Sequence, residues 1–393
     1  MTIAPSSVPI TIRGRYFWRG DERFFIRGVV YQPWDDSENS NINDPISDDR
    51  IIELGRNLVL LKELGVNTLY VYQINNQKQH DKAMKLLESA GIYVVAGVCT
   101  PSCSINRARP YKSYNTANVS SLLRTAGVMA AYPNTLAITA ANSLVNGRGH
   151  LYVAPVLKAI IRDLKRYLAC SNDIRGTRIL PVGYANADVP HINYNTDFLE
   201  YLYSGDKETT VDFWGLANYG WAGKSDLQIS GWLRLISRYE NFAIPSFLCE
   251  YGANTTKIRQ MDETKALYSD PMARVFSGGC VYDFLDSANA YGLVAMDSND
   301  KRWFQMRADV DGKIIETRET DAGIVYIYQD FANYKAALAG SADNHSPSWD
   351  VMEREAKERH SIDVTQRTWS WGPEYQIPAT CIDWDNIEEL VGR

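Results

Sequence analysis

Apolar runs that suit β-strands alternate with stretches of helical periodicity along the first 285 residues of the chain. The strand-like runs cover eight segments: 24–32, 66–73, 92–98, 135–142, 179–186, 213–219, 246–251 and 279–285. Between them, apolar residues recur at helical spacing over 51–64, 81–89, 120–132, 153–168 and 264–276. This alternation predicts an α/β protein with a (β/α)8 TIM barrel. A doubly wound sheet is the alternative, but no Gly-rich phosphate turn follows Gln32.

The chain beyond residue 297 has a weaker pattern. It predicts three pieces: a strand over 324–330, a charged helix over 352–360, and a tail over 368–376 that carries Trp369, Trp371 and Tyr375. Aromatic residues beside Pro and Gly suit a segment that wraps over a neighbouring surface. We therefore predict one barrel domain over 1–300 and a C-terminal extension over 301–393 that packs on it.

The composition excludes several classes of protein. Hydrophobic residues make up 45% and charged residues 22% of the chain, as in a soluble globular protein. The net charge is −6 and no basic stripe occurs, so nucleic acid is not expected as a partner. No apolar run reaches the roughly 18 residues of a spanning helix, so no membrane association is expected. Cys99 and Cys103 lack a second Cys/His pair at zinc-site spacing, and we expect neither a metal nor an organic cofactor.

Both ends of the chain and its cysteines bear on the compartment. Residues 1–9 lack the apolar segment of a secretory signal, and residues 388–393 lack a lipid-anchor tail. Cys249 and Cys280 lie inside apolar strands, as buried free thiols do. We therefore expect a cytoplasmic protein with reduced cysteines. A chain from which a signal has been removed is the alternative.

The active site of a TIM barrel lies at the carboxyl ends of its strands. Two carboxylates follow strands there, and we expect Glu250 and Asp283 to be catalytic. Other strand-end side chains are predicted to bind the ligand, namely Tyr31, Gln32, Tyr70, Tyr72, Asn142, Ser143, Tyr184, Asn218, Tyr219, Trp221 and Tyr282. This lining suits sugars and flat hydrophobic molecules alike, so the expected partner is an oligosaccharide or another small molecule. The structural alternatives are pairing of Glu250 with a Tyr or Asn and of Asp283 with a loop cation.

Several short segments carry a resemblance to a known family, in the same order along the chain. They are Gly-Val-Val-Tyr-Gln-Pro at 28–33, Ser-Ile-Asn-Arg at 104–107, Pro-Val-Gly-Tyr at 181–184, Ala-Leu-Tyr-Ser-Asp at 266–270 and Tyr-Gly-Leu-Val at 291–294. From Pro9 to Asp297 the chain resembles the fungal β-1,3-glucanosyltransferases of glycoside hydrolase family 72. The resemblance implies a TIM barrel that cleaves a β-1,3-glucan, holds one part as a glycosyl-enzyme and transfers it to another glucan chain.

The resemblance also implies roles for individual residues. It makes Glu250 the nucleophile and Asn142 the residue that precedes the acid/base glutamate, with Tyr72 and Tyr219 facing the ligand. Ser143, however, occupies the position of that acid/base glutamate. A retaining glycosidase needs two carboxyl groups, and a hydroxyl is too weak an acid to protonate the leaving group. Because general acid assistance contributes about 10²- to 10⁴-fold, the substitution predicts poor transglycosylation.

Other departures from the family accompany this one. Tyr70 stands where an arginine usually supports the nucleophile. Three more site positions differ: Gly220 replaces a glutamate, Asp283 an apolar residue and Phe284 a tyrosine. Cysteine positions of the secreted family hold other residues here, namely Ala83, Ser204 and Ala222, so its disulfides are expected to be absent. Together these departures predict a protein that has left the cell wall, where the family's substrate lies.

Three functions are compatible with this pattern. The favoured hypothesis is an enzyme repurposed for a cytosolic small molecule, with Glu250 as acid, base or charge stabiliser. Its reaction would be a cyclisation, isomerisation or elimination in fungal secondary metabolism. The first alternative is a residual β-1,3-glucanosyltransferase or glucan hydrolase in which Asp283 or a histidine replaces the lost acid. The second is a glycan-binding protein without catalysis.

Overall fold

An antiparallel sheet covers one end of a larger barrel. Its strands are β1 (Ile10–Arg13), β2 (Tyr16–Arg19) and β3 (Glu22–Phe24). The ring of Phe17 packs edge-on against Phe213 and Phe247, with centroid distances of 6.0 and 6.4 Å. Both partners lie close to the amino-terminal starts of barrel strands, so the small sheet closes that end of the barrel. This description comes from a computed structural model that describes residues 7–33, 42–188, 194–296, 313–341, 350–351 and 375–392.

Eight parallel strands form a closed barrel in their order along the chain. They are β4 (Ile26–Val30), β5 (Thr68–Val71), β6 (Tyr93–Gly97), β7 (Thr135–Asn142), β8 (Val182–Ala187), β9 (Trp214–Ala217), β10 (Ser246–Tyr251) and β11 (Phe276–Val281). The predicted TIM barrel is therefore confirmed. The strands are buried on both faces, which explains why they occur as nearly continuous apolar runs.

Helices surround the barrel and join successive strands. Those within the barrel segment are α1 (Ile51–Leu64), α2 (Asp81–Ser89), α3 (Pro110–Ser113), α4 (Thr116–Ala130), α5 (Ala154–Arg175), α6 (Asn195–Tyr203), α7 (Trp232–Tyr239), α8 (Asp262–Leu267) and α9 (Met272–Val275). The predicted helix over 264–276 is two short helices, since Pro271 lacks the amide donor needed to continue a helix. Among the described residues, no helix is both long and apolar enough to span a membrane.

The interior of the barrel is filled by side chains rather than by solvent. Ile26, Tyr70 and Phe247 belong to this inner cluster, and each is fully buried. A Cβ atom at Gly183 would lie 2.4 Å from the ring of Phe213, so only glycine leaves room for that ring. A second, larger apolar layer lies between the strands and the helices.

The C-terminal extension packs on the outside of the barrel. Its described elements are β13 (Ile314–Thr320), β14 (Gly323–Tyr328), α10 (Gln329–Ala339) and α11 (Ile387–Gly392), and they are preceded by β12 (Val294–Met296) at the end of the barrel segment. The three strands form a sheet in the order β12-β14-β13, and β14 matches the strand predicted over 324–330. The helix predicted over 352–360, Trp369 and Trp371 lie outside the described residues, whereas Tyr375 packs edge-on against Tyr201 at 5.9 Å. The boundary proposed at residue 300 stays a prediction.

Candidate active site

Glu250 lies near the carboxyl end of β10 and is held by tyrosines from two other strand ends. Tyr72 follows β5 and donates a hydrogen bond to Glu250 Oε1 at 2.5 Å. Tyr219 follows β9 and donates to Oε2 at 3.0 Å. Asn142, the last residue of β7, also hydrogen-bonds the carboxylate. Side chains from three other strand ends therefore converge on the Glu250 carboxyl group at the end of the barrel where TIM-barrel active sites form.

The environment of Glu250 favours its protonated form. Burial raises the pKa of Glu250, and the hydrogen bonds from Tyr72, Tyr219 and Asn142 only partly offset that effect. Burial and the nearby carboxylate also raise the pKa of Tyr72 and Tyr219 far above the ordinary phenol value. Both phenols therefore remain neutral donors. Among the described residues, no cation hydrogen-bonds or pairs with the carboxylate.

Tyr70 occupies the position where the resemblance implies an arginine. Its side chain is fully buried inside the barrel and its ring lies edge-on to Tyr72, with a centroid distance of 4.9 Å. Burial raises the pKa of Tyr70 well above 10, so the group is neutral. Tyr70 thus supports the ring of Tyr72 by packing but supplies no positive charge to Glu250.

Ser143 lies one residue beyond β7, beside Asn142. Its backbone is left-handed with φ of 48°, and its hydroxyl donates to Asn142 Oδ1 at 3.0 Å. Arg107 fixes the turn, since its guanidinium donates to the carbonyl oxygens of Ser143 at 2.8 Å and Leu144 at 2.6 Å. The sequence identified Arg107 only as part of the 104–107 motif and gave it no role. The structure makes it the anchor between the loop after β6 and the strand end that carries Ser143.

Three tyrosine rings form a wall beside Glu250. Tyr219 lies 6.4 Å from Tyr282 and 5.7 Å from Tyr291, and the last two rings are 5.1 Å apart, all edge-on. Each ring is partly exposed, so together they offer the aromatic surface on which sugar rings stack. Tyr282 is one of the predicted ligand residues. Tyr291 was noted only within the 291–294 motif, because it lies on a loop and no strand end marks it.

Several other predicted ligand residues contact protein groups instead of the cleft. Tyr31 and Tyr184 point into the layer between strands and helices, where Tyr31 accepts from Asn57 and Tyr184 accepts from the amides of Leu144 and Val145. Trp221 is buried against Trp232, with a centroid distance of 5.2 Å. The structure shows these three side chains packed in the protein interior, and their contact with a ligand stays a prediction.

Gln32 and Asn218 tie neighbouring strand ends together. Gln32 accepts the amides of Tyr72 and Gln73 at 3.2 and 3.1 Å, which fixes the position of the Tyr72 backbone. Asn218 donates to Asp188 at 2.7 Å through its side chain and to the Glu250 carbonyl at 2.9 Å through its amide. Both are nearly inaccessible, so their contribution to the site is to hold residues that do face the cleft.

Asp283 lies close to the wall but not in the cleft. Its side chain is 1% exposed, and within the described part of the chain neither carboxylate oxygen has a hydrogen-bond partner. Burial first, and then the charge of Asp286, raise the pKa of Asp283 well above its ordinary value. A ligand cannot reach it in this conformation. Its catalytic role stays a prediction.

A closed (β/α)8 barrel with a carboxylate between tyrosines at its strand ends defines a protein built like a carbohydrate-active TIM-barrel enzyme. The comparisons with known proteins identify the family. The glucanosyltransferase model of glycoside hydrolase family 72 matches residues 1–314, and the chain therefore belongs to that family.

Relatives of known activity and structure agree with this assignment. The chain is 40% identical over 292 residues to 1,3-beta-glucanosyltransferase gel1 of Aspergillus fumigatus, covering 74% of this chain and 62% of gel1. It is 37% identical over 299 residues to GAS5 of Saccharomyces cerevisiae, covering 75% and 60%. The structure of Saccharomyces cerevisiae Gas2p with laminaritriose and laminaritetraose superposes with a TM-score of 0.77 at 29% identity, covering 95% and 77%. The chain thus spans about three-fifths of the length of gel1 and GAS5.

Two predictions from the sequence are wrong. The favoured function was an enzyme of secondary metabolism that acts on a cytosolic small molecule. The family match contradicts it, and so do the relatives found, which are 1,3-beta-glucanosyltransferases. The predicted cytoplasmic location is wrong as well, because the relatives found are 1,3-beta-glucanosyltransferases. Similarity over 299 residues is stronger evidence of function than a few departures such as Ser143. All six cysteines are free thiols in the structure.

Proposed function

We propose that the protein acts on β-1,3-glucan, with Glu250 as the nucleophile of a slow glucanosyl transfer. The observation that carries the proposal is the position of Glu250, held between the Tyr72 and Tyr219 hydroxyls at the carboxyl ends of the barrel strands. The partly exposed wall of Tyr219, Tyr282 and Tyr291 stands next to it. A carboxylate beside stacked aromatic rings is the arrangement that a retaining enzyme needs around a sugar.

The comparisons support a glucan ligand for this cleft. The relatives are named for transfer of 1,3-β-glucan, and Gas2p was solved with laminari-oligosaccharides. The aligned part of this chain includes the whole barrel and therefore all of the cleft. We accordingly propose laminari-oligosaccharides, the short β-1,3-glucans, as both donor and acceptor.

The proposed reaction has two steps. In the first, a carboxylate oxygen of Glu250 attacks the anomeric carbon, the glycosidic C–O bond breaks, and the departing glucan oxygen takes a proton from water, which leaves hydroxide. In the second, a hydroxyl of an acceptor glucan attacks the same carbon, gives its proton to that hydroxide to restore the water, and releases Glu250 as a carboxylate. One glycosidic bond is broken and one is formed, so the number of linkages is unchanged.

Two features of the site make this transfer slow. Ser143 has no carboxyl group to protonate the leaving oxygen, which forfeits about 10²- to 10⁴-fold of rate. The raised pKa of Glu250 also lowers the fraction of nucleophile that is ionised at mildly acidic pH. Asp283 is buried away from the cleft, so we do not assign the missing proton donor to it.

A glycan-binding protein without turnover is the second candidate. Ser143 favours this candidate, because its hydroxyl cannot act as the acid of catalysis, whereas binding of a sugar by the aromatic wall does not depend on that residue. The two candidates differ in one observable, the appearance of new oligosaccharide lengths over time.

Mass spectrometry of laminaripentaose incubated with the protein distinguishes these functions. The wild type should slowly produce both shorter and longer β-1,3-oligosaccharides, and the isosteric variant Glu250→Gln should produce none. Saturable binding without new products would establish the glycan-binding candidate. Equal products from both proteins would remove Glu250 from the reaction, and neither products nor binding would refute a glucan ligand.

A further inference from the structure

We infer that Arg259 is a positioning residue for the aromatic wall, and that the C-terminal extension holds it in place through Asp330. The inference rests on the buried guanidinium of Arg259. It bonds Asp330 of α10 on one side and backbone carbonyls of the tyrosine wall on the other. The extension would then be part of the sugar-binding unit and not an appendage to it. The sugar readout of this inference rests on the proposed function.

Arg259 reaches three places at the edge of the site. Its Nη1 atom donates to the carbonyl oxygens of Gly252 at 3.2 Å and Tyr282 at 2.7 Å. Its Nη2 atom donates to the carbonyl oxygen of Tyr291 and, at 3.4 Å, to that of Gly292. Gly252 lies two residues after Glu250. One side chain therefore joins the strand end of the nucleophile to the two segments that carry Tyr282 and Tyr291.

Asp330 fixes Arg259 from the opposite side. Its Oδ1 atom accepts the backbone amide of Arg259 at 3.1 Å, and Oδ2 accepts the guanidinium Nε at 2.9 Å. Asn333, one turn further along α10, donates to the Arg259 carbonyl at 2.7 Å. The side chains of Arg259 and Asp330 are 1% and 0% exposed, so water reaches neither group and each charge is stabilised by the other. Lys313, at the start of the β13–β14 hairpin, adds a bond to Asp330 at 3.1 Å.

The extension holds the same loop at a second point. The hydroxyl of Tyr328, the last residue of β14, donates to Asp286 Oδ2 at 3.0 Å. Asp286 Oδ1 in turn accepts the amide of Gly292, also at 3.0 Å. The backbone amide of Tyr328 donates to the Leu293 carbonyl at 3.2 Å. The loop that carries Tyr291 is thus bonded to the extension on both sides of that residue.

The connection from the extension to the nucleophile is short. Arg259 sets the backbone of Tyr282 and Tyr291, these two rings pack edge-on against Tyr219, and the Tyr219 hydroxyl bonds Glu250. A rotation of the wall would therefore move both the sugar platform and one donor to the carboxylate. Misplacement of a reacting group by about 1 Å can cost about 10²-fold in rate, so such a tie has a measurable effect.

Two variants test the inference, with a matched control. Asp330→Asn removes the charge that orients the guanidinium, and Lys313→Met is a milder change that leaves Asp330 and Arg259 paired. The control is Arg178→Lys, because Arg178 is a half-buried arginine that also donates to backbone carbonyls, at 3.0 Å to Pro133 and 3.2 Å to Ile10. It lies at the amino-terminal end of the barrel, away from the cleft.

The first readout needs no ligand. Hydrogen exchange of the peptide covering 282–293 reports on two backbone amides of this loop. The amide of Asp283 donates to the Tyr291 carbonyl, and the amide of Leu293 donates to the carbonyls of Asp283 and Phe284. We expect exchange there to be at least about tenfold faster in Asp330→Asn and slightly faster in Lys313→Met. The control should leave exchange in this segment unchanged even where its melting temperature falls equally. Unchanged exchange in both variants would overturn the inference.

The second readout is the affinity for laminaripentaose. We expect a loss of about tenfold in Asp330→Asn and no loss in Arg178→Lys, since only the first displaces the wall. Equal losses in the two would mean that Arg259 acts through global stability alone and would refute the positioning role. If the wild type binds no laminaripentaose, the proposed function fails, while the exchange result still decides the structural claim. If Asp330→Asn does not fold, hydrogen exchange and laminaripentaose affinity are both measured on Lys313→Met and compared with Arg178→Lys.

Discussion

A glutamate at position 143 should convert slow transfer into fast transfer. Ser143 directly follows Asn142, whose side chain hydrogen-bonds Glu250, so a carboxyl group here would lie at the same end of the barrel as Glu250. Retaining enzymes place their two carboxyl groups about 5 to 5.5 Å apart, on either side of the scissile bond. In the proposed mechanism, Ser143→Glu would therefore supply the missing proton donor.

The size of the gain follows from two opposing effects. General acid assistance contributes about 10²- to 10⁴-fold, or about 2.7 to 5.5 kcal/mol of barrier. Against this, φ of 48° at Ser143 is a left-handed conformation, which costs a residue with a Cβ atom about 1–2 kcal/mol. Serine already bears that cost, so glutamate adds little strain at this partly exposed position. We expect transfer by Ser143→Glu to be at least about a hundredfold faster than by wild type.

The assay is the initial rate of product formation from laminaripentaose, followed by mass spectrometry. Ser143→Gln is the matched control, because glutamine has the same size and shape as glutamate but cannot donate a proton as an acid. The double variant with Glu250→Gln should be inactive, which assigns any gain to the two-carboxyl mechanism. Equal rates for Ser143→Glu and Ser143→Gln would refute the reasoning, provided that both bind the oligosaccharide.

Three further predictions test separate parts of the structure. Tyr72→Phe removes a donor that lowers the pKa of Glu250, so the acidic limb of the activity profile should move to higher pH; an unmoved limb would exclude this hydrogen bond as a determinant. Burial raises the pKa of Glu263 from 4.5 to about 7, so between pH 4.5 and 7 Glu263 is protonated in the folded state but ionised in the unfolded state. The free energy of unfolding therefore falls as the pH rises through this range. Glu263→Gln should therefore raise the free energy of unfolding by about 3 kcal/mol at pH 8 and leave it unchanged at pH 4, as measured by denaturant titration; an equal change at both pH values would contradict the assignment. Gly183→Ala should destabilise the fold by about 1–3 kcal/mol, because the new methyl group meets the Phe213 ring, and an unchanged melting temperature would show that the ring can move aside.

The fold could be predicted from the sequence because its signal is repeated and strong. Parallel strands buried on both faces give continuous apolar runs, and eight of them alternate with amphipathic helices. Boundaries were less accurate, as at 279–285, where the strand is Phe276–Val281 and the chain then bends toward Asp283. Such bends depend on contacts between distant segments, which the local pattern does not contain.

The site could be predicted only in part, for geometric reasons. Strand ends identify Glu250, Tyr72 and Tyr219, and the structure brings these three together. Strand ends alone do not say which face a side chain takes, so Tyr31 and Tyr184 were included although they point toward the helices. Arginines 107 and 259 were missed as functional residues because they act from loops, through long side chains that bond backbone carbonyls. No strand-end pattern marks such residues.

Calorimetric titration of laminaripentaose into the wild-type protein, with cellopentaose as the β-1,4-linked control, tests the central claim most directly. A cleft built for β-1,3-glucan should give saturable heat with laminaripentaose and markedly weaker or no binding of cellopentaose. No heat with either sugar, or equal affinity for both, would contradict a β-1,3-glucan ligand for the cleft around Glu250.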